Sequence, residues 1–189
     1  AGSLNHANWL TASASNFMGA GSRTTAASVV LSSATTTDGV WHLCVAYFGA
    51  NNIRRADVDG NVGAYNFTAR ATTAPNRTTL GVDATHSGGL FNGLISHPFC
   101  YSVADATEAT NLIAQLITTP PMQTTYGTRR HYWGPDCLVD QVGGVNFSAV
   151  NGPTLSDDEP AHLLSGGRIV DGGRAGRGSI LLSNGGLIQ

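Results

Sequence analysis

The chain has 189 residues, of which 12% are charged and 24 are glycine, and its formal net charge is −2. This length allows one domain with a sizeable hydrophobic core, and the uncharged, turn-rich composition favours strands over helices. The slight negative charge argues against a nucleic-acid-binding protein, which usually has a basic excess, and gives no electrostatic attraction to anionic membranes.

The first 48 residues predict strands that become progressively more apolar. Residues 1–23 predict one or two short strands, and SVVLSSA at 28–34 predicts another, followed by a turn at 35–39. The strongest strand prediction is 41–48, because its apolar residues alternate over both faces. One face holds Trp41, Leu43, Val45 and Tyr47, and the other holds His42, Cys44, Ala46 and Phe48. Two apolar faces are typical of a central strand.

Short strands and turns continue to residue 103. GANN at 49–52 predicts a hairpin turn, 53–58 a returning strand, and Asp59-Gly60 a two-residue turn. Further strands are predicted at 65–71, 78–82, 90–95 and 98–103. Strands repeated at this spacing indicate an all-β sandwich or barrel and not a parallel sheet.

One helix is predicted after these strands. Asp105 is a suitable N-cap, and Glu108 follows three residues later, which is the capping-box spacing. The helix should end before the two prolines of TTPP at 118–121. Its apolar stripe consists of Leu112, Ile113 and Leu116.

The last third of the chain is less regular. We predict a single β-sandwich domain over 1–164, with an irregular extension from about 122 that contains a strand at 145–150. Residues 165–189 are rich in glycine and arginine and predict a C-terminal arm with a final strand.

The three cysteines, Cys44, Cys100 and Cys137, are widely spaced and odd in number. This pattern argues against a disulfide framework or a structural zinc site. Buried thiols that act as small apolar residues are the simplest interpretation. A pair between Cys44 and Cys100 stays open, because both lie in predicted strands.

An ordered series of short motifs runs through residues 28–117. It consists of Asp38-Gly39-x-Trp41-His42, Val58-Asp59-Gly60, Leu80-Gly81, Phe91-Asn92-Gly93-x-Ile95, and Tyr101 before the helix. In this order the series resembles the laminin-G-like branch of the concanavalin A-like lectin and glucanase jelly rolls. The resemblance implies an antiparallel jelly-roll β-sandwich with Trp41 at its centre. Residues 131–155 resemble the opening strand of that family but follow the helix. Either the jelly roll is permuted, or residues 122–189 extend the sandwich or contact a neighbouring molecule.

Members of this family include glycosidases, which use two carboxylates about 5 Å apart when they retain configuration. The chain has two glutamates: Glu108 is a predicted helix cap, and Glu159 precedes a proline in a turn-like segment. The sequence also has no nucleophile elbow, zinc-protease motif or P-loop. We therefore expect no enzymatic activity, no cofactor and no metal, although the resemblance leaves Ca²⁺ open at loop acids. Those acids are Asp38, Asp59 and Asp83.

Glycan binding without catalysis would need an exposed aromatic ring beside polar loop groups. The candidate ligand-binding residues are Asp83, His86, Tyr132 and Trp133. The alternative for Trp133 is a core anchor, since tryptophan is mostly buried.

No signal peptide or membrane-spanning stretch is recognisable in the sequence, yet its charge-poor, Thr- and Asn-rich composition is typical of an extracellular surface. Both features suit a protein made in a host cytoplasm and displayed on a virion. We expect a structural or adhesive protein of a bacteriophage surface, either a capsid decoration or a tail-associated protein, that forms homo-oligomers and contacts other virion proteins. The alternative is a secreted, lectin-like glycan-binding module.

Overall fold

The computed structural model describes most of the chain between residues 7 and 147 and two short pieces near its end. The described residues are 7–12, 16–23, 27–36, 40–49, 53–68, 94–134, 138–147, 180–181 and 187–188. They divide into two compact units. Unit 1 comprises Ala1–Gly93 and Asp105–Thr110, and unit 2 comprises Leu94–Ala104 and Asn111–Gln189.

Unit 1 is built from antiparallel strands. Strands β1 (Ala7–Ala12), β2 (Phe17–Arg23) and β3 (Ala27–Thr35) form a three-stranded sheet in that order. Strands β4 (Cys44–Phe48) and β5 (Arg54–Val58) form a hairpin, and β5 packs against β2 and β3. The strands predicted in 1–23, at 28–34 and at 53–58 are confirmed.

The register between β2 and β3 shifts at a β-bulge between Phe17 and Gly19. There, Met18 N donates a hydrogen bond to Ser32 Oγ at 3.1 Å, and Ser32 Oγ donates to Ala34 O at 2.7 Å. The serine hydroxyl thus satisfies a backbone group that the bulge removes from the ladder.

The strand predicted over 41–48 is shorter than expected and begins at Cys44. Trp41 is half-buried, and the side chains of β4 are half-buried or exposed, so β4 is not the central strand of a core. The buried strand is β5, whose five residues are all buried. Its polar residues can be buried because they hydrogen-bond within unit 1.

The turn predicted at Asp59-Gly60 is confirmed, with φ of 50° and 77° at its two central residues. Beyond it, Asn66 forms an isolated bridge with Arg54, and the described part of the strand predicted at 65–71 forms no further pairing. The strand predicted at 78–82, and 90–93 of the strand predicted at 90–95, lie outside the described residues.

Unit 2 contains strands β6 (Phe99–Ser102) and β7 (Thr128–Tyr132), which pair in antiparallel fashion. Strands β8 (Ile180–Leu181) and β9 (Leu187–Ile188) form a separate pair. A 3-10 turn covers Pro121–Gln123. The strand predicted at 98–103 is confirmed by β6, whereas β7 was not predicted from the sequence. Residues 145–147 of the strand predicted at 145–150 are not in a strand, and 148–150 lie outside the described residues.

Helix α1 (Ala106–Leu116) confirms the helix prediction and contributes residues to both units. Asp105 is its N-cap, because Asp105 Oδ1 accepts a hydrogen bond from Glu108 N at 2.8 Å. The predicted apolar stripe of Leu112, Ile113 and Leu116 is buried.

The described chain is therefore antiparallel β with one short helix, as the composition and strand spacing predicted. The Cys44 and Cys100 thiols are free, and Cys137 lies outside the described residues. No helix in the described ranges is long and apolar enough to cross a membrane.

Candidate functional site

Two of the four predicted ligand-binding residues can be placed, and both are buried. Tyr132 ends β7 and Trp133 follows it, and neither ring offers an exposed platform. Trp133 is instead a core anchor of unit 2, as the alternative interpretation expected. Asp83 and His86 lie outside the described residues.

The Trp133 indole is held on three sides. It stacks on the His131 ring at a centroid distance of 5.2 Å and packs at 4.7 Å against Phe147. Its Nε1 donates a hydrogen bond to Val145 O at 2.7 Å. A ring held in this way is available for packing and not for a sugar.

Tyr132 is paired with a buried histidine. Its hydroxyl lies 2.6 Å from Nδ1 of His97, and the two rings are stacked at 5.8 Å. His97 has a φ of 52°, which is uncommon for a residue with a side chain. Its backbone N donates to Gly134 O at 3.2 Å, which fixes this conformation beside β7.

The Asp140 carboxylate accepts five hydrogen bonds from described residues of unit 2. Oδ1 accepts from the backbone N–H groups of Tyr132, Val142 and Gly143, at 3.2, 3.0 and 3.0 Å. Oδ2 accepts from Val145 N at 3.0 Å and from His131 Nδ1 at 2.7 Å. Because this carboxylate has five protein donors, it organises the loop 138–147 from the inside.

Burial alone would raise the pKa of Asp140. The hydrogen bonds from His131 and from the backbone of Val145, Gly143 and Val142 outweigh it and hold that pKa well below the ordinary value. The arrangement resembles the carboxylate that orients a catalytic histidine. Among the described side chains, however, no hydroxyl or thiol hydrogen-bonds to His131, so this histidine does not form a nucleophile–base pair with any of them.

A second histidine–aspartate pair lies in unit 1. His42 Nδ1 is 2.6 Å from Asp59 Oδ2, and Leu43 N donates to Asp59 Oδ1 at 2.8 Å. Burial, followed by the charge of Asp59, raises the pKa of the nearby Cys44 thiol to about 11. The thiol is therefore protonated at neutral pH and a poor nucleophile.

The calcium candidates gain no support from the described residues. Asp59 is engaged by His42 and Leu43, and Asp38 and Asp83 lie outside the described residues. Within those ranges, no three His, Cys, Asp or Glu side chains are grouped to hold a metal ion.

Two exposed aromatic rings of unit 1 lie on the segment 63–68, which we call the aromatic loop. The Tyr65 and Phe67 rings are 5.9 Å apart and tilted by 35°. Tyr65 is 38% exposed and Phe67 is 67% exposed. Neither residue was identified as a site residue from the sequence.

Arg54, which is fully buried, fastens one side of the aromatic loop. Its Nη2 donates to Asn66 Oδ1 and to Thr68 O, both at 2.9 Å. The backbones of Arg54 and Asn66 also exchange hydrogen bonds in both directions, at 3.1 and 2.9 Å. Asn66 Nδ2 donates in turn to Val29 O of β3 at 3.3 Å.

Arg55, which is 1% exposed, fastens the other side. Its Nη1 donates to the Tyr65 hydroxyl at 2.6 Å, its Nη2 to Thr110 Oγ1 at 3.2 Å, and its Nε to Asp57 Oδ2 at 2.8 Å. The guanidinium carbon lies 5.6 Å from the Tyr47 ring centre and 5.1 Å from that of Tyr65. The buried charge therefore has an ionic partner and two aromatic faces.

Asp57 completes the fastening of the aromatic loop, because its Oδ1 accepts a hydrogen bond from Gly63 N at 2.8 Å. Burial raises the pKa of Asp57, and the bonds from Gly63 and Arg55 partly offset that effect. A Cβ atom at Gly63 would collide with the Ala56 carbonyl oxygen, so this position admits only glycine without a backbone shift.

The sequence did not indicate the aromatic loop, because an alternation of apolar and polar residues does not show which face of a predicted strand is exposed. Tyr65 and Phe67 were read as part of a strand at 65–71. The one available signal was the adjacent pair Arg54-Arg55 inside a predicted strand, since buried arginines need partners.

No protein-family model matches the chain, and no curated protein or solved structure is significantly similar to it. The resemblance to laminin-G-like jelly rolls therefore stays a prediction.

Proposed function

We propose that this protein is a non-enzymatic structural or adhesive component of a bacteriophage particle surface, either a capsid decoration or a tail-associated protein. In this role it would form homo-oligomers and contact other virion proteins after synthesis in the host cytoplasm. The observation that carries the proposal is the outer face of the sheet β1–β3.

The outer face of this sheet exposes uncharged side chains, some of them apolar, around Gly19. On β3, Val29, Leu31 and Ser33 are exposed and alternate with buried or half-buried residues, and Thr11 on β1 is exposed as well. The register places Thr11 opposite Gly19 and Gly19 opposite Leu31, so the face is continuous across the three strands. Exposed apolar groups without charges between them are typical of surfaces that contact other proteins.

The proposed non-enzymatic character is supported by the contacts of four of the five described acids. Asp57 and Asp140 are buried in internal hydrogen bonds, Asp59 holds His42, and Asp105 caps α1. Acids that are committed in this way serve the fold, whereas a general acid or base must reach a substrate.

We also propose that the complete fold is a laminin-G-like, concanavalin A-like jelly-roll sandwich, in the usual or a permuted strand order. Support comes from the antiparallel pairing throughout the described strands and from the packing of β5 on β2 and β3. A jelly-roll sandwich consists of two antiparallel sheets packed face to face.

The assembly proposal predicts that Leu31→Glu weakens self-association, because a carboxylate would be desolvated at the contact. Analytical ultracentrifugation of the purified protein should show oligomers for the wild type and a shift toward monomer for Leu31→Glu. The matched control is Met122→Glu, which adds the same charge at an exposed apolar residue of unit 2. A wild-type protein that stays monomeric at high concentration and binds no particle would contradict the proposal.

The second candidate function is a secreted, lectin-like glycan-binding module. The observation that favours it is the exposed pair Tyr65 and Phe67, since a stacking platform beside polar groups suits a sugar. Recovery of the protein in purified particles would favour the first function, and recovery only as free protein outside the host would favour the second.

A further inference from the structure

We propose that Cys100 and His131 of unit 2 form one half of a Zn²⁺ site, and that the same pair of a second copy of the chain completes it. The ion then has two thiolate and two imidazole ligands. This inference rests on the homo-oligomer proposed above, since it names a contact that joins two copies. It places that contact on β6 and β7 of unit 2, whereas the sheet β1–β3 belongs to unit 1.

The first argument is the pairing of the two residues across neighbouring strands. Cys100 of β6 lies directly opposite His131 of β7 in the antiparallel register, and the register shifts only beyond this pair, between Cys100 and Tyr101. Side chains at opposite positions point to the same face of a sheet, with Cβ atoms about 5 Å apart. A sulfur and an imidazole nitrogen can therefore both reach one ion, at the usual distances of about 2.3 and 2.0 Å.

Both side chains are accessible to an ion from solvent. Cys100 is exposed and its thiol is free, and the His131 side chain is 31% exposed. Nδ1 of His131 is bonded to Asp140, and no described residue hydrogen-bonds to Nε2. Nε2 is therefore the ring nitrogen that is available to a metal ion.

The second argument is the way in which His131 is held. Its Nδ1 lies 2.7 Å from Asp140 Oδ2, and four backbone N–H groups fix that carboxylate. Burial opposes ionisation of Asp140, but these hydrogen bonds hold its pKa well below the ordinary value, so it accepts the Nδ1 proton and leaves the lone pair on Nε2. Metal-bound histidines almost always have such a partner on the other ring nitrogen.

The donor atoms select the kind of ion and the number of copies. Thiolate and imidazole ligands suit Zn²⁺, whereas Ca²⁺ and Mg²⁺ prefer oxygen. A structural Zn²⁺ site has four tetrahedral protein ligands, but no group of three or more His, Cys, Asp or Glu side chains is present in the described part of the chain. A second copy related by a two-fold axis supplies the same two ligands and completes the four.

The charges around the pair are compatible with this site. Arg130 is exposed, and its Nε donates to Ser102 Oγ at 2.8 Å. Partial burial raises the pKa of the Cys100 thiol, and the charge of Arg130 lowers it. Coordination removes the thiol proton outright, so each ion that binds releases two protons to water. Two thiolates cancel the charge of Zn²⁺, and Arg130 therefore lies beside a centre without net charge.

The test titrates purified, metal-free protein with Co²⁺ and then with Zn²⁺, in a phosphine reductant that excludes disulfides. Co²⁺ should give thiolate charge-transfer absorption in the near ultraviolet and the intense visible bands of a tetrahedral site. Zn²⁺ should abolish both signals at one ion for two chains.

Analytical ultracentrifugation of Leu31→Glu tests the second copy. This variant should be monomeric in chelator whether or not the proposed β1–β3 contact exists, so any Zn²⁺-dependent association is independent of that contact. We expect Zn²⁺ to convert it to a dimer and a chelator to reverse the change.

Cys100→Ser and His131→Gln should each lower the Zn²⁺ affinity by about a hundredfold or more, because each removes two of the four ligands. The matched control is Cys44→Ser/Cys137→Ser, in which Cys100 is the only cysteine, and it should bind Zn²⁺ as the wild type does. Far-ultraviolet circular dichroism of each variant checks that it is folded.

Asp140 is a positioning residue in this site, since it acts through His131. Asp140→Asn should weaken Zn²⁺ binding about tenfold to a hundredfold and still give the thiolate absorption with saturating Co²⁺. A purely structural role of Asp140 would leave the Zn²⁺ affinity of the folded variant unchanged.

The inference is overturned if the wild type gives no thiolate absorption with Co²⁺, or if Cys100→Ser binds Zn²⁺ as tightly as the wild type. It is also overturned if Cys44→Ser/Cys137→Ser loses binding, or if one ion binds to each chain without association. Association that needs removal of the reductant and not Zn²⁺ would identify a disulfide instead. These results leave the virion proposal standing, because that proposal is tested on particles and on the effect of Leu31→Glu.

Discussion

At the scale of single residues, buried polar side chains organise segments that lack regular secondary structure. Asp140 accepts five hydrogen bonds and shapes the loop 138–147 around its carboxylate. Arg54 and Arg55 do the same for the aromatic loop through their guanidinium groups. These bonds satisfy backbone and side-chain groups that no strand or helix pairs.

Asp140→Asn should lower the melting temperature by several degrees, because an amide nitrogen cannot accept the bonds that one carboxylate oxygen now accepts. The fluorescence of Trp133 should change as well, since its ring stacks on His131. Differential scanning calorimetry and emission spectra check both effects. His131→Gln should lower the melting temperature less, because it leaves the four backbone donors of Asp140 in place.

We also predict that Asp140→Asn changes how the stability of the protein depends on pH in the acid range. Burial would raise the pKa of Asp140, but hydrogen bonds depress it in the folded state. The ionised carboxylate therefore contributes to folding stability above the unfolded pKa of about 4, and this contribution is lost as pH falls toward the depressed value. The raised pKa of Asp57 has the opposite effect on how stability depends on pH, and this effect is the same in the wild type and in Asp140→Asn. Wild type should therefore lose more stability than Asp140→Asn between pH 5 and 2 in urea titrations. Equal losses would show that Asp140 makes no such contribution.

Residue roles were predictable only where the partner is close in sequence. The Asp105 cap joins residues three apart, and local spacing indicates it directly. The bond from Arg55 to Thr110 spans 55 residues, and that from Asp140 to His131 spans nine with a strand end between. Such pairs depend on how the chain folds back, which no local pattern contains.

At the scale of elements, local signals predicted α1 and the hairpin turn after β5. The helix has a cap, an apolar stripe and a proline stop, and the turn has the Asp-Gly pair that accepts positive φ. Strand β7 was missed because TRRHY has no apolar alternation before its last residue. This segment is a strand because its backbone pairs with β6, and its own residues do not indicate that pairing.

Asp105→Ala should cost about 1 kcal/mol of folding free energy, because Glu108 N loses its acceptor at the start of α1. Urea denaturation followed by circular dichroism at 222 nm measures the change. Thr107→Ala is the matched control, since Thr107 is exposed in the same first turn. If both variants lose the same stability, the cap does not stabilise the helix as proposed.

At the scale of the whole molecule, the low charge of the chain and the antiparallel strands of its described residues fit a protein that works through its surfaces. The all-β class was predictable from composition and strand spacing, because many short alternating runs separated by turns leave little room for helices. The sequence did not predict which side chains of β4 are exposed, or that Tyr65 and Phe67 are exposed. Exposure depends on the packing of β5, which buries its own arginines and aspartate and leaves aromatic rings outside.

Protein composition of purified bacteriophage particles, measured by quantitative mass spectrometry from a host that produces this chain, tests the proposed function most directly. We predict that the chain copurifies with intact particles in a fixed ratio to the major capsid or tail protein and resists washing in moderate salt. Recovery of the chain only as free protein, with none bound to particles, would contradict the account.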